Sequence, residues 1–215
     1  MIRCAALLGG SFDPVHRGHV ALAALFHQLL QPDQLRVIPA GNPWQKQAGL
    51  HADAADRIAM LRLAFGEAGL PIAIDRQEIE RQGPTYSIDT LRTVRAELGP
   101  QASIVFLMGA DQLQHLDSWH DWHALFRLAH FAVAARPGYR LDALPAAVKA
   151  EVDARRGTPA ELRAAPCGRV LLAPELAVDV SATAVRAALA RQDAPNSLIP
   201  GVVLDYIQHH QLYKN

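Results

Sequence analysis

The N-terminal part of the chain combines two short apolar runs with one helical pattern, and this combination restricts the fold more than any other feature of the sequence. Residues 4–8 are apolar, residues 20–30 carry apolar side chains at helical spacing, and residues 35–38 form a second apolar run that ends at Pro39 and Gly41. This pattern predicts a strand, a helix and a second strand. Because a helix separates the two strands, we expect them to be parallel and joined by a right-handed crossover.

The same alternation continues along the chain. Further helices are predicted over residues 53–65 and 87–98, and further strands over residues 72–74, 103–108, 131–135 and 170–172. Alternating strands and helices indicate an α/β fold with a doubly wound parallel sheet. Ligands of such sheets bind beyond the carboxyl ends of the strands, so we expect the functional residues directly after the strands.

Two segments interrupt the alternation, and the C-terminal part changes character. Residues 40–52 form a long polar loop, which we expect to border the site. Residues 141–166 are rich in Ala and Arg with a weak helical pattern, and we expect them to be peripheral. Residues 181–191 and 202–209 predict two short helices. We interpret residues 1–215 as a single domain on which a helical C-terminal part, residues 181–215, is packed.

Charge and composition exclude several classes of function. The 215-residue chain has 21 Lys+Arg and 21 Asp+Glu, so the broad basic surface of a protein that binds a nucleic-acid polymer or an acidic membrane is not expected. Its 2 cysteines are too few for a disulfide framework or a thiolate zinc site. The apolar runs are too short for a signal peptide or a membrane helix. These features predict a cytoplasmic protein.

The segment after the first predicted strand is typical of a phosphate site. It reads GGSFDPVHRGH over residues 9–19 and matches neither the Walker A nor the GxGxxG pattern. Its first glycines let the backbone approach a ligand closely, and Gly18 stands at a helix start, where N–H groups and the helix dipole favour an anion. His16 and His19 are spaced to donate hydrogen bonds to phosphate oxygens. Two alternatives stay open: a helix-capping histidine, and a two-histidine metal pair that lacks the further ligands of a zinc site.

This segment resembles the first signature of the nucleotidyltransferase superfamily, whose members transfer adenylyl or cytidylyl groups to phosphates and release pyrophosphate. Residues 180–186, VSATAVR, are similar to the second signature of that superfamily, ISxTxxR, with Val180 in place of isoleucine. The resemblance implies that Ser181, Thr183 and Arg186 contact phosphates at a helix N-terminus. Taken alone, the second segment is also explained as a capped surface helix.

Features outside the two signatures resemble the bacterial nicotinate-nucleotide adenylyltransferases. Four of them lie between the signatures, namely PTYS at residues 84–87, GAD at residues 109–111, Trp119 and RPGY at residues 136–139. The fifth is the C-terminal segment 198–213, after the second signature. The resemblance therefore covers nearly the whole chain. It implies a Rossmann-like nucleotidyltransferase fold in which residues 181–215 complete the ATP site.

The resemblance also implies roles for individual residues. Catalysis is expected from His16, His19 and Arg186. ATP is expected to contact residues of both signatures and two residues between them, namely Gly9, Gly10, Ser11, Phe12, His16, Gly18, His19, Asp111, Arg136, Ser181, Thr183 and Arg186. Nicotinate mononucleotide is expected at Lys46, Thr85, Tyr86, Asp111 and Trp119, with Trp119 stacked on the nicotinate ring. No protein residue is assigned as a metal ligand, and Mg²⁺ is expected to bind mainly through the ATP phosphates.

Simpler explanations stay open for several of these residues. Trp119 is also explained as a core aromatic, Asp111 as a helix cap, Arg136 as a surface ion-pair residue and Lys46 as an exposed lysine. Trp44 has no assigned role.

The expected reaction is adenylyl transfer from ATP to nicotinate mononucleotide, giving deamido-NAD and pyrophosphate. Three alternatives are an adenylyltransferase that prefers nicotinamide mononucleotide, one that acts on phosphopantetheine, and a non-catalytic nucleotide-binding protein on the same fold. The sequence is compatible with a homo-oligomer and leaves the oligomeric state open.

Overall fold

The computed structural model describes residues 4–41, 50–135, 144–173, 176, 178, 180–191, 193 and 197–214. The predicted parallel sheet is confirmed: its six strands lie in the order β3-β2-β1-β4-β5-β6, and every neighbouring pair is parallel. The strands are β1 (Cys4–Gly10), β2 (Gln34–Pro39), β3 (Ala73–Ile74), β4 (Ser103–Gly109), β5 (His130–Ala134) and β6 (Val170–Ala173). The chain moves outward from β1 to β3, then crosses to β4 and moves outward to β6, so the topological switch point lies between β1 and β4.

Helices cover both faces of the sheet. In the described part of the chain they are α1 (Arg17–Leu30), α2 (Ala54–Glu67), α3 (Gln77–Glu80), α4 (Ser87–Leu98), α5 (Ala110–Gln114), α6 (Trp122–Leu125), α7 (Ala146–Ala154), α8 (Pro159–Ala164), α9 (Ala182–Ala190) and α10 (Gly201–His209), with a 3-10 turn at Leu116–Ser118. Ser181 caps α9, as the sequence predicts, because its side chain accepts from the Ala184 N–H. Asp53 caps α2 in the same way and accepts from the Asp56 N–H. None of the helices in the described ranges is long and apolar enough to cross a membrane.

The hydrophobic core has two parts, one on each face of the sheet. Alternation along β1 directs Ala6 and Leu8 to one face and Leu7 to the other. Alternation along β4 works in the same way, with Val105 on the first face and Phe106 on the second. Both faces of the central strands are therefore apolar, which explains why the strands appear in the sequence as continuous apolar runs.

The segment 141–166 is less peripheral than its sequence predicts. Leu162 of α8 is completely buried in the core, and its carbonyl accepts a hydrogen bond from the buried Ser103 hydroxyl of β4 at 2.7 Å. The Arg163 guanidinium donates to the carbonyls of Leu30 and Gln31 at the end of α1. A single apolar side chain per turn is enough to attach so short a helix, and this leaves little periodicity to detect.

The two C-terminal helices pack against the core on one face of the sheet. Val185 of α9 and Val203, Leu204 and Ile207 of α10 belong to the same buried cluster as β1. The Tyr206 hydroxyl of α10 also donates to the Asp56 carboxylate of α2 at 2.9 Å.

Candidate functional site

A cavity of about 350 Å³ opens at the carboxyl ends of the central strands. Its floor contains the last residues of β1 and β4, on either side of the topological switch point. Its wall contains residues from both signature segments and from the middle of the chain, namely Gly9, Gly10, Ser11, His16, Gly18, His19, Thr85, Asp111, Trp119 and Ser181. These predicted site residues therefore surround one space, in the place that the parallel sheet predicts for a ligand.

The loop between β1 and α1 supplies the first wall of this cavity. Ser11 faces the cavity, whereas Phe12 is completely buried beneath it and has a left-handed backbone with φ of 47°. The Phe12 ring packs edge-on against His19, with ring centroids 4.8 Å apart. Phe12, predicted at the ATP site, thus lies under the loop and supports a histidine of the wall.

The two histidines lie against each other at the start of α1. Their rings are stacked, with centroids 3.6 Å apart and planes 17° apart. The main-chain N–H of His16 donates to Nδ1 of His19 at 3.2 Å. A neutral His19 ring that accepts this hydrogen bond carries its proton on Nε2. His16 is only 4% exposed and still contributes to the cavity wall.

The start of α9 brings the second signature against the first. A Cβ atom on Gly18 would lie 3.0 Å from Cγ1 of Val180, so the close approach of the two segments leaves little room for a side chain at this position. Val180, Ser181 and Ala182 line the cavity. Two segments distant in the sequence therefore form one continuous wall beside the N-terminus of α1.

Thr183, in the first turn of α9, and Arg186, one turn further along, are not part of the cavity wall. Nη1 of Arg186 donates to the Asp13 carbonyl at 2.6 Å, and Nη2 donates to the Thr183 hydroxyl at 3.4 Å. The predicted contact of Arg186 with the triphosphate stays a prediction, because here the side chain binds the loop below the histidines.

Residues from the middle of the chain form another part of the cavity wall. Thr85 and Ser87 flank the start of α4, and Trp119 follows the 3-10 turn. Trp119 packs edge-on against Phe106, and its buried indole N–H has no acceptor among the described residues. Tyr86 lies just behind this wall, with its ring 4.8 Å from that of His120. An aromatic surface that also carries an indole N–H is suited to a flat polar ring.

The cavity wall also contains residues that the sequence did not single out. His120 follows Trp119, and Glu78 of α3 is brought to the wall because Gly41 lets the Glu78 carbonyl approach the end of β2. Burial raises the pKa of Glu78 above its ordinary value, and the Thr90 hydroxyl, which donates to Oε1 at 2.7 Å, partly offsets this effect. A Cβ on Gly41 would lie 1.9 Å from the Glu78 carbonyl oxygen, so a side chain at position 41 would prevent this approach. Gly41 is therefore the sequence feature that could have indicated a close contact here.

The available oxygen ligands bear on Mg²⁺. Among the residues whose positions are described, no group of three or more His, Cys, Asp or Glu side chains could hold a metal ion. Asp111 at the start of α5 and Glu78 are acidic side chains among the described residues of the wall. The expectation that Mg²⁺ binds mainly through the ATP phosphates stays a prediction.

Three of the residues singled out in the sequence lie outside the described residues. They are Lys46, expected at the mononucleotide, Arg136, expected at ATP, and Trp44, which had no assigned role. Of the predicted border loop 40–52, Ala40 at its start lines the cavity.

Comparisons with known proteins agree with this geometry. The model of the cytidylyltransferase-like family matches residues 7–188. The chain is 60% identical to a probable nicotinate-nucleotide adenylyltransferase of Herminiimonas arsenicoxydans, over 99% of this chain and 98% of that protein. It is 49% identical to the protein of the same name from Laribacter hongkongensis, over 97% of this chain and 94% of that protein.

Solved structures share the fold. The nicotinic acid mononucleotide adenylyltransferase of Plasmodium falciparum, complexed with NaAD, superposes with a TM-score of 0.75 at 19% identity, covering 98% of this chain and 97% of that chain. A putative nicotinate-nucleotide adenylyltransferase from Vibrio parahaemolyticus gives a TM-score of 0.66 at 15% identity, covering 100% and 97%.

Proposed function

This chain belongs to the cytidylyltransferase-like family, in its nicotinate-nucleotide adenylyltransferase branch, and we propose that it transfers the adenylyl group of ATP to nicotinate mononucleotide. The products are deamido-NAD and pyrophosphate, and the reaction is a step of NAD biosynthesis. The observation that carries the proposal is that both signature segments line one cavity together with Thr85 and Trp119.

Different parts of the cavity wall suit the two substrates. His16, His19 and the starts of α1 and α9 present donors and helix dipoles, which suit the phosphates of ATP. Trp119 offers an aromatic surface for stacking on the nicotinate ring. Main-chain N–H groups near Thr85 and Tyr86 then receive the carboxylate of that ring. In this proposal the acceptor phosphate lies between the ring and the triphosphate.

The proposed chemistry is an in-line displacement. An oxygen of the mononucleotide 5′-phosphate attacks the α-phosphorus of ATP, a new P–O bond forms, and the bond from the α-phosphorus to the bridging oxygen breaks, so pyrophosphate leaves with the electron pair. The attacking phosphate is already an anion at neutral pH and needs no general base. Catalysis then depends on alignment and on neutralising charge, for which His16 and His19 donate to the reacting phosphates.

Further contacts belong to the same proposal. We assign Gly9, Gly10, Ser11 and Gly18 to the ATP phosphates through their main chain. Residues 181–215 complete the ATP site through Ser181, Thr183 and Arg186. Arg136 is assigned to ATP and Lys46 to the mononucleotide. Phe12 contributes from below, through its contact with His19. Mg²⁺ would supply further charge neutralisation when bound with ATP, and Asp111 is the carboxylate that we assign to its hydration shell and to the nucleotides. We propose that the enzyme acts in the cytoplasm.

The decisive experiment is a pyrophosphate-release assay with ATP and each of three acceptors. Nicotinate mononucleotide is expected to react fastest, with deamido-NAD identified as the product by mass. Faster reaction with nicotinamide mononucleotide or phosphopantetheine would contradict the acceptor but retain the adenylyl transfer. Nucleotide binding without pyrophosphate release from any acceptor would indicate a non-catalytic protein.

A further inference from the structure

The carboxylate of Asp13 lies completely buried in the loop between β1 and α1, three residues before His16. It accepts hydrogen bonds from the main-chain N–H groups of His51 at 2.8 Å and Ala52 at 3.0 Å. A third donor is the hydroxyl of Tyr213, 200 residues away in the sequence, at 2.8 Å from Oδ1. Nδ1 of the His51 ring also lies 3.3 Å from Oδ2. A buried anion with this many hydrogen-bond partners is held firmly in one position.

Two arginines bind the main chain of the same loop. Nη1 of Arg186 donates to the Asp13 carbonyl at 2.6 Å. Arg57, which is only 2% exposed, donates through Nη1 to the carbonyls of Ser11 and Ala40, both at 2.8 Å. The loop that presents Ser11 and the histidines is therefore fixed from below by α2, by α9 and by the end of the chain.

Tyr213 is the donor that comes from the end of the chain. It follows α10, and its side chain packs at the edge of the core cluster that contains Val203 and Ile207. Burial and the nearby Asp13 carboxylate raise the pKa of the Tyr213 hydroxyl well above its ordinary value. The hydroxyl consequently keeps its proton and remains a donor to Asp13 at physiological pH.

We propose that Tyr213 is a positioning residue for adenylyl transfer: through Asp13 it holds the loop that carries Ser11 and His16 in register with the phosphates. The proposal rests on the function proposed above. Tyr213 is not part of the cavity wall, so it acts through Asp13 and not on a substrate. The last residues of the chain thereby become part of the conditions for turnover.

The Tyr213→Phe variant removes the donor and little else. The two main-chain donors of Asp13 remain, so the variant is expected to fold. A displacement of the loop by a fraction of an ångström misaligns the reacting phosphates, and misplacement on the scale of 1 Å costs on the order of 100-fold in rate. We expect kcat to fall about 10- to 100-fold. The KM for nicotinate mononucleotide should change less than about twofold, because neither Asp13 nor Tyr213 belongs to the wall that contains Thr85 and Trp119.

The Tyr206→Phe variant is a matched control. It removes a second tyrosine-to-aspartate hydrogen bond, from the Tyr206 hydroxyl to Asp56 at 2.9 Å, and neither residue lines the cavity. Asp56 is only partly buried, whereas Asp13 is completely buried, so the melting temperature should decrease somewhat more in Tyr213→Phe than in Tyr206→Phe. Only Tyr213→Phe should lose kcat.

The pH dependence of stability tests the Asp13 to Tyr213 contact directly. Burial raises the pKa of Asp13, but the donors on His51, Tyr213 and Ala52 outweigh it and hold that pKa below its ordinary value. Among the described residues, the charged or titratable groups that face Asp13 are His51, Arg57, Arg186 and Tyr213. Loss of the Tyr213 donor raises the pKa of Asp13 toward its unfolded value, so the unfolding free energy should decrease less on acidification in Tyr213→Phe than in Tyr206→Phe.

Amide hydrogen exchange over residues 9–19 tests the same proposal without turnover. Faster exchange there in Tyr213→Phe, with no such change in Tyr206→Phe, supports it. An inactive wild type would contradict the proposed function, and the exchange result would still decide the role of Tyr213. Unchanged exchange in this segment, or equal kcat in the two variants, would overturn the inference.

Discussion

His19 has a structural and a catalytic contribution that two substitutions separate. His19→Ala removes the ring, and with it the hydrogen bond from the His16 N–H and the stacking contact with the His16 ring. The lost hydrogen bond costs about 0.5–1.5 kcal/mol of unfolding free energy. The lost donor to the transition state costs about 100- to 1,000-fold in kcat, or about 2.7–4 kcal/mol. The activity loss should therefore exceed the stability loss by several-fold.

His19→Gln keeps the structural part. His19 is the third residue of α1, where a glutamine reaches back to the N–H of the residue before the helix and replaces the acceptor Nδ1. We expect His19→Gln to restore most of the urea-unfolding free energy lost in His19→Ala and to restore little of the kcat. Stability from urea unfolding and kcat from pyrophosphate release are the two measurements. Near-normal kcat in either folded variant would refute the catalytic role of His19.

Three further predictions concern the proposed mononucleotide contacts and a buried histidine. Trp119→Ala should raise the KM for nicotinate mononucleotide about 5- to 150-fold, because stacking contributes about 1–3 kcal/mol, and ATP affinity should not change. Trp122→Ala is the control: Trp122 lies outside the cavity wall, so this variant should lower only the melting temperature. Wild type should favour nicotinate over nicotinamide mononucleotide about 10- to 150-fold in kcat/KM. Thr85→Ala should keep most of that preference if main-chain N–H groups bind the carboxylate. Equal kcat/KM values in wild type would contradict the acid preference. Burial holds the pKa of His130 below its ordinary value. As the pH falls through about 6.5, the unfolded chain therefore takes up a proton that the folded chain does not, and the protein becomes less stable. The decrease in unfolding free energy from pH 7.5 to pH 5.5 should be about 1 kcal/mol larger in wild type than in His130→Gln.

The sequence by itself determined the class of fold and the place of the site. The apolar runs predict each strand of the sheet within a few residues, and α4 has the predicted bounds, residues 87–98. Both rest on periodicity, which is a local property of the chain. The two signatures and Trp119 predicted the cavity for a similar reason, because the carboxyl ends of parallel strands must meet at one edge of the sheet.

Only the tertiary structure decided which residue faces the cavity and which one supports it. Phe12 lies beneath the loop, and Arg186 binds the Asp13 carbonyl, although both belong to signature segments. Glu78 and His120 reach the wall with no pattern of their own in the sequence. The Asp13 to Tyr213 hydrogen bond joins residues 200 positions apart. Such contacts depend on the strand order and on how the crossovers pack, and no local pattern of residues encodes the distance between two segments that meet only in the folded chain.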